Sequence, residues 1–191
     1  MKQLVLASGL PARKEILEKT GYPFIVDVSD YGEDMGLKMS PEELAKHLSL
    51  GKAQDVATRH KDSVVLAADS FALFNGELLG KPQTIENARK MLATLSGQCH
   101  SFITGFTILD ADTSRRYSDV VETKVYFRKL APEDIDNYLK KENVLNNAGA
   151  YIIQKLGATL VEKIDGDYSN VMGLPLPAVT VALKNFGINF L

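Results

Sequence analysis

The chain has little of what several common chemistries require. It holds a single cysteine, Cys99, among 191 residues, so it can build neither an internal disulfide framework nor a thiolate metal cluster, and a reducing compartment is the expected setting. Cys99 falls in Ser-Gly-Gln-Cys-His between a helical and a strand pattern, the surroundings of a plain loop thiol. The three histidines, His47, His60 and His100, show no paired ligand spacing, which gives neither a zinc site nor a Ser-His-Asp set. The net charge is −2 with no run of Lys or Arg, so the clustered basic footprint of a duplex-binding surface is missing. No stretch approaches the ~20 apolar residues needed to span a bilayer. The first residues lack a basic region followed by a long apolar run, and the expectation is a cytoplasmic protein with no membrane partner.

What is present suits a single core. With 45% hydrophobic and 24% charged residues and no internal repeat or low-complexity linker, residues 1–191 are expected to form one domain. Lys2 to Ala7 is β-rich, and Pro11 opens a helix to about Thr20, closed by Gly21 and Pro23. Phe24 to Val28 reads as strand and Asp30 to Lys38 as loop. Ser40-Pro-Glu-Glu43 is a capping box, opening a helix to about His60. Ser63 to Phe74 reads as one apolar strand, and Asn75-Gly76 as a hairpin turn to a strand over Glu77 to Gly80. Helices are predicted over Thr84 to Leu95, Pro132 to Lys141 and Pro177 to Phe186. Strands are predicted over Ser101 to Leu109 and Val120 to Phe127, paired around a polar turn, and over Thr159 to Ile164. Interleaved strands and helices with hairpins among them predict an α/β fold with a mixed, twisted sheet and flanking helices.

Four places carry candidate chemistry. Leu4 to Leu17 runs from an apolar strand through a Ser8-Gly turn into a Pro-started helix bearing Arg13 and Lys14. The unpartnered N–H groups of a helix start, with a guanidinium beside them, form an anion-binding arrangement. Asp69 interrupts an otherwise apolar strand, a position disfavoured for aspartate. It is read either as a bend or an edge position, or as a carboxylate held on a rigid element as metal ligand or general base. Lys52 shares the core-facing stripe of Ala45, Leu48 and Val56, so its ammonium either snorkels to solvent or meets a buried anion. Extending the register of the Asn75-Gly76 hairpin sets Ser70 opposite Lys81, with Asp69 and Lys81 on opposite faces. Gly51-Lys52 and Gly80-Lys81 are not P-loops, because position 46 is Lys and Gly76 stands one residue too close to Gly80. Glu33 lies in a loop that reads as solvated.

Taken together, these residues resemble the Maf family of nucleoside triphosphate pyrophosphatases over essentially the whole chain. The resemblance rests on Leu-Ala-Ser8 with Pro11 and Arg13, Glu33, Lys52-Ala, Ala-Asp69-Ser, Leu-Gly-Lys81-Pro82, Leu95-Ser-Gly97 and Thr104-Gly. It continues through Glu122-Thr-Lys-Val-Tyr-Phe127, Ala148-Gly-Ala-Tyr-Ile-Ile-Gln154 and Gly166-Asp-Tyr-Ser-Asn-Val-Met-Gly-Leu-Pro175. It implies a cytosolic enzyme that cuts a nucleoside triphosphate between the α and β phosphates, with a divalent metal such as Mg²⁺ or Mn²⁺. The implied fold is the one shared with inosine triphosphate pyrophosphatases, often as a homodimer. Asp69 matches the family's proton acceptor; Ser8, Arg13, Lys52 and Lys81 match its phosphate-binding positions, and Glu33 with Asp69 are the candidate metal ligands. Leu10 stands where many members have a second Ser, and Ala12 where the pyrimidine-preferring branch has Arg. Ser70 is nearer the Thr of the dTTP/UTP branch, and Tyr-Ile-Ile-Gln154 matches that branch, so Ala12, Ser70 and Gln154 are the expected specificity positions and dTTP and UTP the expected substrates. The rival implied by the family name is a nucleotide-binding regulator of septum formation with little turnover.

Overall fold

A computed structural model describes residues 2–191. Its sheet is mixed and has seven strands: β1 (Gln3–Leu6), β2 (Phe24–Val26), β3 (Ser63–Phe74), β4 (Glu77–Leu79), β5 (Cys99–Asp110), β6 (Arg116–Phe127) and β7 (Val161–Asp165). Their order is β2-β1-β3-β5-β6-β7, with β4 paired to β3. β1 runs parallel to β2 and β3, whereas β4 is antiparallel to β3 and β7 to β6. The helices are α1 (Pro11–Glu18), α2 (Pro41–Ala57), α3 (Ile85–Leu95), α4 (Pro132–Lys141), α5 (Tyr168–Val171) and α6 (Leu176–Lys184). The α/β class with a mixed sheet and flanking helices is therefore as expected. Contacts divide the chain into two compact units, one of residues 1–70, 103–121 and 172–191, the other of 71–102 and 122–171.

In the first unit, β1 lies between two parallel neighbours, and Leu4, Val5 and Leu6 are fully buried, the continuous apolar run expected of an interior parallel strand. α2 covers one face. Ala53 and Val56 pack with Val5, Ala7, Val65, Ala67 and Leu109, so the stripe that includes Lys52 points inward. Ser40 caps α2 through the Glu43 N–H, and the Glu43 carboxylate returns a bond to the Ser40 N–H. The depth of α2 is set by Gly105 on β5. A Cβ there would stand 2.3 Å from the Ala45 carbonyl carbon, so only a missing side chain lets helix backbone and strand come this close. A buried hydroxyl chain, Ser49 to Thr107 to Ser118, at 2.8 Å for each link, joins α2 to β5 and β6.

In the second unit, α3 packs on α4, and His100, Phe102, Phe127 and Tyr151 form an aromatic cluster, edge-to-face except for the tilted His100–Phe102 pair. The His100 ring contacts Tyr151 Oη through Nε2 at 2.9 Å, and its Nδ1 is buried without a hydrogen-bond partner. Burial pushes the imidazole pKa down to about 4, so the ring is neutral. Three expectations need correction. Thr159 and Leu160 belong to a 3-10 helix over Leu156–Leu160, and the strand begins at Val161. β6 begins at Arg116, because an Asp110 N–H to Arg115 carbonyl bond closes the turn early. The β3–β4 ladder ends at Ala72↔Leu79, so the expected Ser70–Lys81 pairing is not formed. No helix among the described residues is long and apolar enough to cross a membrane.

Candidate active site

Two polar networks form in the first unit, each around one cation. Arg13, on the first turns of α1, is 6% exposed. Its Nε–H donates to the Gly173 carbonyl at 2.7 Å, Nη1 to Ser8 Oγ at 3.1 Å and Nη2 to Ser70 Oγ at 3.0 Å. Ser8 Oγ also accepts the Leu10 N–H at 3.2 Å, and Ser70 Oγ shares a bond with Thr104 Oγ1 at 2.9 Å. All three partners of the guanidinium are neutral, and among the described residues no carboxylate lies within ion-pair distance of it. Burial lowers the Arg13 pKa, and the charges of Asp69 and Glu33 oppose that shift. An arginine starts so high that it remains a cation. Five N–H donors and three neutral acceptors leave donor capacity and a whole charge for an anion.

Lys52 is the opposite case. Its Nζ makes a short hydrogen bond with Asp69 Oδ1 and an ion pair with Glu33 Oε1 at 2.7 Å. The Lys52 and Asp69 side chains are 13% and 10% exposed, and that of Glu33 is 46% exposed. The ammonium therefore meets acids in place of snorkelling to water. Burial raises the Asp69 pKa above the usual carboxylate range, opposed by Lys52 and then Arg13 and reinforced by Glu33. Desolvation outweighs two cations here, which makes Asp69 a stronger base than a surface aspartate. β3 places Asp69 and Ser70 consecutively, so alternate faces of one strand feed the two networks. The charge effects of Arg13 on Asp69, and of Asp69 and Glu33 on Arg13, couple them electrostatically.

Ser8, Arg13 and Ser70 thus come together, as do Glu33, Lys52 and Asp69. Ala12 is 8% exposed beside Arg13 on α1. Ser70, expected at a specificity position, has its hydroxyl bonded within the Arg13 network. Lys81 and Gln154 belong to the second unit, where both are exposed and lie outside helix and strand. Gly173 was not anticipated as a partner. Its contribution is a backbone carbonyl, and only its place in Asn-Val-Met-Gly-Leu-Pro175 marked the segment. Among the described residues no group of three or more His, Cys, Asp or Glu could hold a metal. Two carboxylates converging on one ammonium do fit a hard cation that takes its remaining ligands from phosphate oxygens and water.

An α/β protein with a mixed sheet, a buried arginine cation on its first helix and an acid pair met by one lysine has the charged groups that suit a phosphate ligand with a cation. The Maf-like protein family model matches residues 3–186, and the chain belongs to that family. It is 43% identical over 190 residues to a dTTP/UTP pyrophosphatase of Methanosarcina barkeri, covering 99% of this chain and 96% of that one. A dTTP/UTP pyrophosphatase of Alkaliphilus oremlandii is 42% identical over 193 residues, with 100% of both chains covered. One from Halalkalibacterium halodurans is 44% identical over 189 residues, covering 99% and 98%. Among solved structures, the Staphylococcus aureus Ham1 protein aligns with a TM-score of 0.43 at 18% identity, covering 66% of this chain and 72% of that one.

Proposed function

We propose that this chain hydrolyses nucleoside triphosphates between the α and β phosphates, releasing monophosphate and pyrophosphate, with dTTP and UTP as preferred substrates. The observation that carries the reading is the pairing of a buried Arg13 cation, held only by neutral acceptors, with a buried, basic Asp69 steered by Lys52. The full-length relatives named as dTTP/UTP pyrophosphatases supply the substrate class.

Water attack on phosphorus needs neutralised charge and alignment more than covalent assistance. Asp69 takes the proton from the attacking water, with Lys52 holding Oδ1 so that the carboxylate plane is fixed. A bond from the water oxygen to the α phosphorus forms, the bond from that phosphorus to the bridging oxygen breaks, and pyrophosphate leaves. Arg13 offsets the negative charge spread over the phosphate oxygens, each charge-assisted contact contributing about 1.5–3 kcal/mol. Glu33 and Asp69 would hold a divalent cation, Mg²⁺ or Mn²⁺, which supplies further charge neutralisation when bound. A homodimer in the cytoplasm belongs to the same reading.

The test is incubation with Mg²⁺ and a panel of natural and modified triphosphates, following pyrophosphate and identifying the nucleotide product. Monophosphate with pyrophosphate, fastest from dTTP or UTP, is expected. A diphosphate product, or tight binding with no turnover, overturns the reading; the second outcome favours a nucleotide-binding regulator.

A further inference from the structure

Glu33 is the least supported acid of the site by its own local structure. It lies on the segment 27–34, which has no helix or strand, and its side chain is 46% exposed. Such a carboxylate should wander, yet it meets Lys52 Nζ at 2.7 Å. The reason lies along one side of α2 and just beyond its end. Arg59 donates through Nε and Nη2 to the Asp27 carboxylate and through Nη2 to the Val28 carbonyl at 3.0 Å, and His60 Nε2 meets Asp27 Oδ2 at 2.8 Å. One turn earlier, Asp55 Oδ2 accepts from Ser29 Oγ and from the Asp30 N–H, each at 2.9 Å, and Ser29 Oγ in turn accepts the Tyr31 N–H at 3.0 Å. The next turn back is Gly51. The Tyr31 ring lies where a Cβ on Gly51 would be, with Cζ 2.3 Å and both Cε atoms within 2.6 Å of that position. Residues 47, 51 and 55 are four apart and share a helix face, and Tyr31 Oη reaches His47 Nε2 at 3.4 Å.

We propose that Tyr31 and Gly51, with Asp55 tying the preceding turn, are positioning residues that seat the Glu33 carboxylate on Lys52 beside Asp69. The inference rests on the reading of Glu33 as a site acid. Glycine in the interior of a 17-residue helix is intrinsically unfavourable, and the space it leaves is filled by a ring two residues before Glu33. The three atoms nearest a methyl group at position 51 all belong to that ring, the outer end of the Tyr31 side chain, so it is the ring that gives way. The fold absorbs the change while the loop leaves its seat. Position 51 therefore separates seating from stability, which a substitution in the core cannot do.

Gly51→Ala is expected to lower kcat/KM by about 10- to 100-fold, the cost of a misplaced catalytic group, and to raise the Mg²⁺ concentration needed for half-maximal rate. Its thermal midpoint should not fall. Amide hydrogen exchange at Asp30 and Tyr31 should quicken, a readout independent of substrate and metal. In a Glu33→Gln or Tyr31→Ala background, Gly51→Ala should cost nothing further, and Tyr31→Phe should lose less than Tyr31→Ala. The same fold-loss from Gly51→Ala in every background, or parent rates with the two amides still protected, overturns the proposal. If Glu33→Gln itself turns over like the parent, the reading of Glu33 fails, and the exchange rates still decide whether Gly51 and Tyr31 seat the loop.

Discussion

Arg13 in the first unit and His100 in the second are both buried basic groups with no carboxylate in ion-pair reach among the described residues, and burial leaves them in opposite charge states. Desolvation lowers both. The guanidinium starts so far above neutrality that it stays charged, whereas the imidazole falls to about 4 and is neutral. Their partners agree with this. Arg13 spends its donors on two hydroxyls and a carbonyl, while His100 sits edge-on among Phe127 and Tyr151 and uses only Nε2. One burial builds a fixed positive charge that still wants an anion, and the other builds a polar spacer in an aromatic core. Lys52 falls between them, since its two acids already answer its charge.

The largest effect should come from the acid beside the fixed charge. Asp69→Asn removes the proton acceptor but keeps its size and one acceptor for Lys52, and kcat should fall by about 10²–10⁴ with the fold retained. Pyrophosphate release with a parallel thermal melt measures it, and parent turnover would make the acid merely structural. Next, Arg13→Lys should lower kcat/KM by about 10². An ammonium cannot reach two hydroxyls and a carbonyl in a planar fork, and the stability loss should be about 3 kcal/mol. A denaturant titration beside the rate assay checks both parts. If the lysine variant binds and turns over normally, charge alone suffices and the fork is irrelevant.

The third prediction concerns the neutral member of the pair. The native pKa of His100 lies below its unfolded value of 6.5, so the unfolded chain takes up the proton first as pH falls. Stability should therefore drop between pH 6.5 and about 4 by roughly 3 kcal/mol from this residue, with no further contribution below that window. Urea unfolding of the parent and of His100→Gln at both ends of the window isolates it. Equal pH slopes for the two proteins would show that the ring is not buried neutral. The smallest effect is expected from Ser70→Ala, which removes one acceptor from Arg13. About a tenfold fall in kcat/KM across all bases, restored by Ser70→Thr, distinguishes a guanidinium support from a base-reading hydroxyl, which would change the ratio of substrates.

Much of this site was legible along the chain because it depends on local pattern. An aspartate inside an apolar strand and a lysine on the buried stripe of a helix are each anomalous by themselves, and the structure joins them. The same holds for the capping box at Ser40 and the turn at Asn75-Gly76. The Ser70–Lys81 pairing failed because a hairpin register propagates only while both backbones stay extended, and β4 stops at Leu79. The Gly173 carbonyl was invisible for another reason. It lies 160 positions from Arg13 and is a backbone group, so no side-chain signature marks it, although the φ of +108° at this position favours glycine. The seating of Tyr31 on Gly51 was hidden likewise: a glycine within a helix signals spare room, and the tenant of that room is decided by tertiary structure.

The absent side chain at position 105 works as a spacer of zero thickness between a helix and the strand beneath it. Helix α2 rests there on bare backbone, and the reach of its lysine toward the neighbouring strand is measured from that floor. A mutant library meant to widen substrate choice has to hold position 105 as glycine just as it holds Arg13 and Asp69. One that admits even a methyl group at 105 will be filled with proteins whose chemistry is intact residue by residue but whose helix has been jacked away from its sheet.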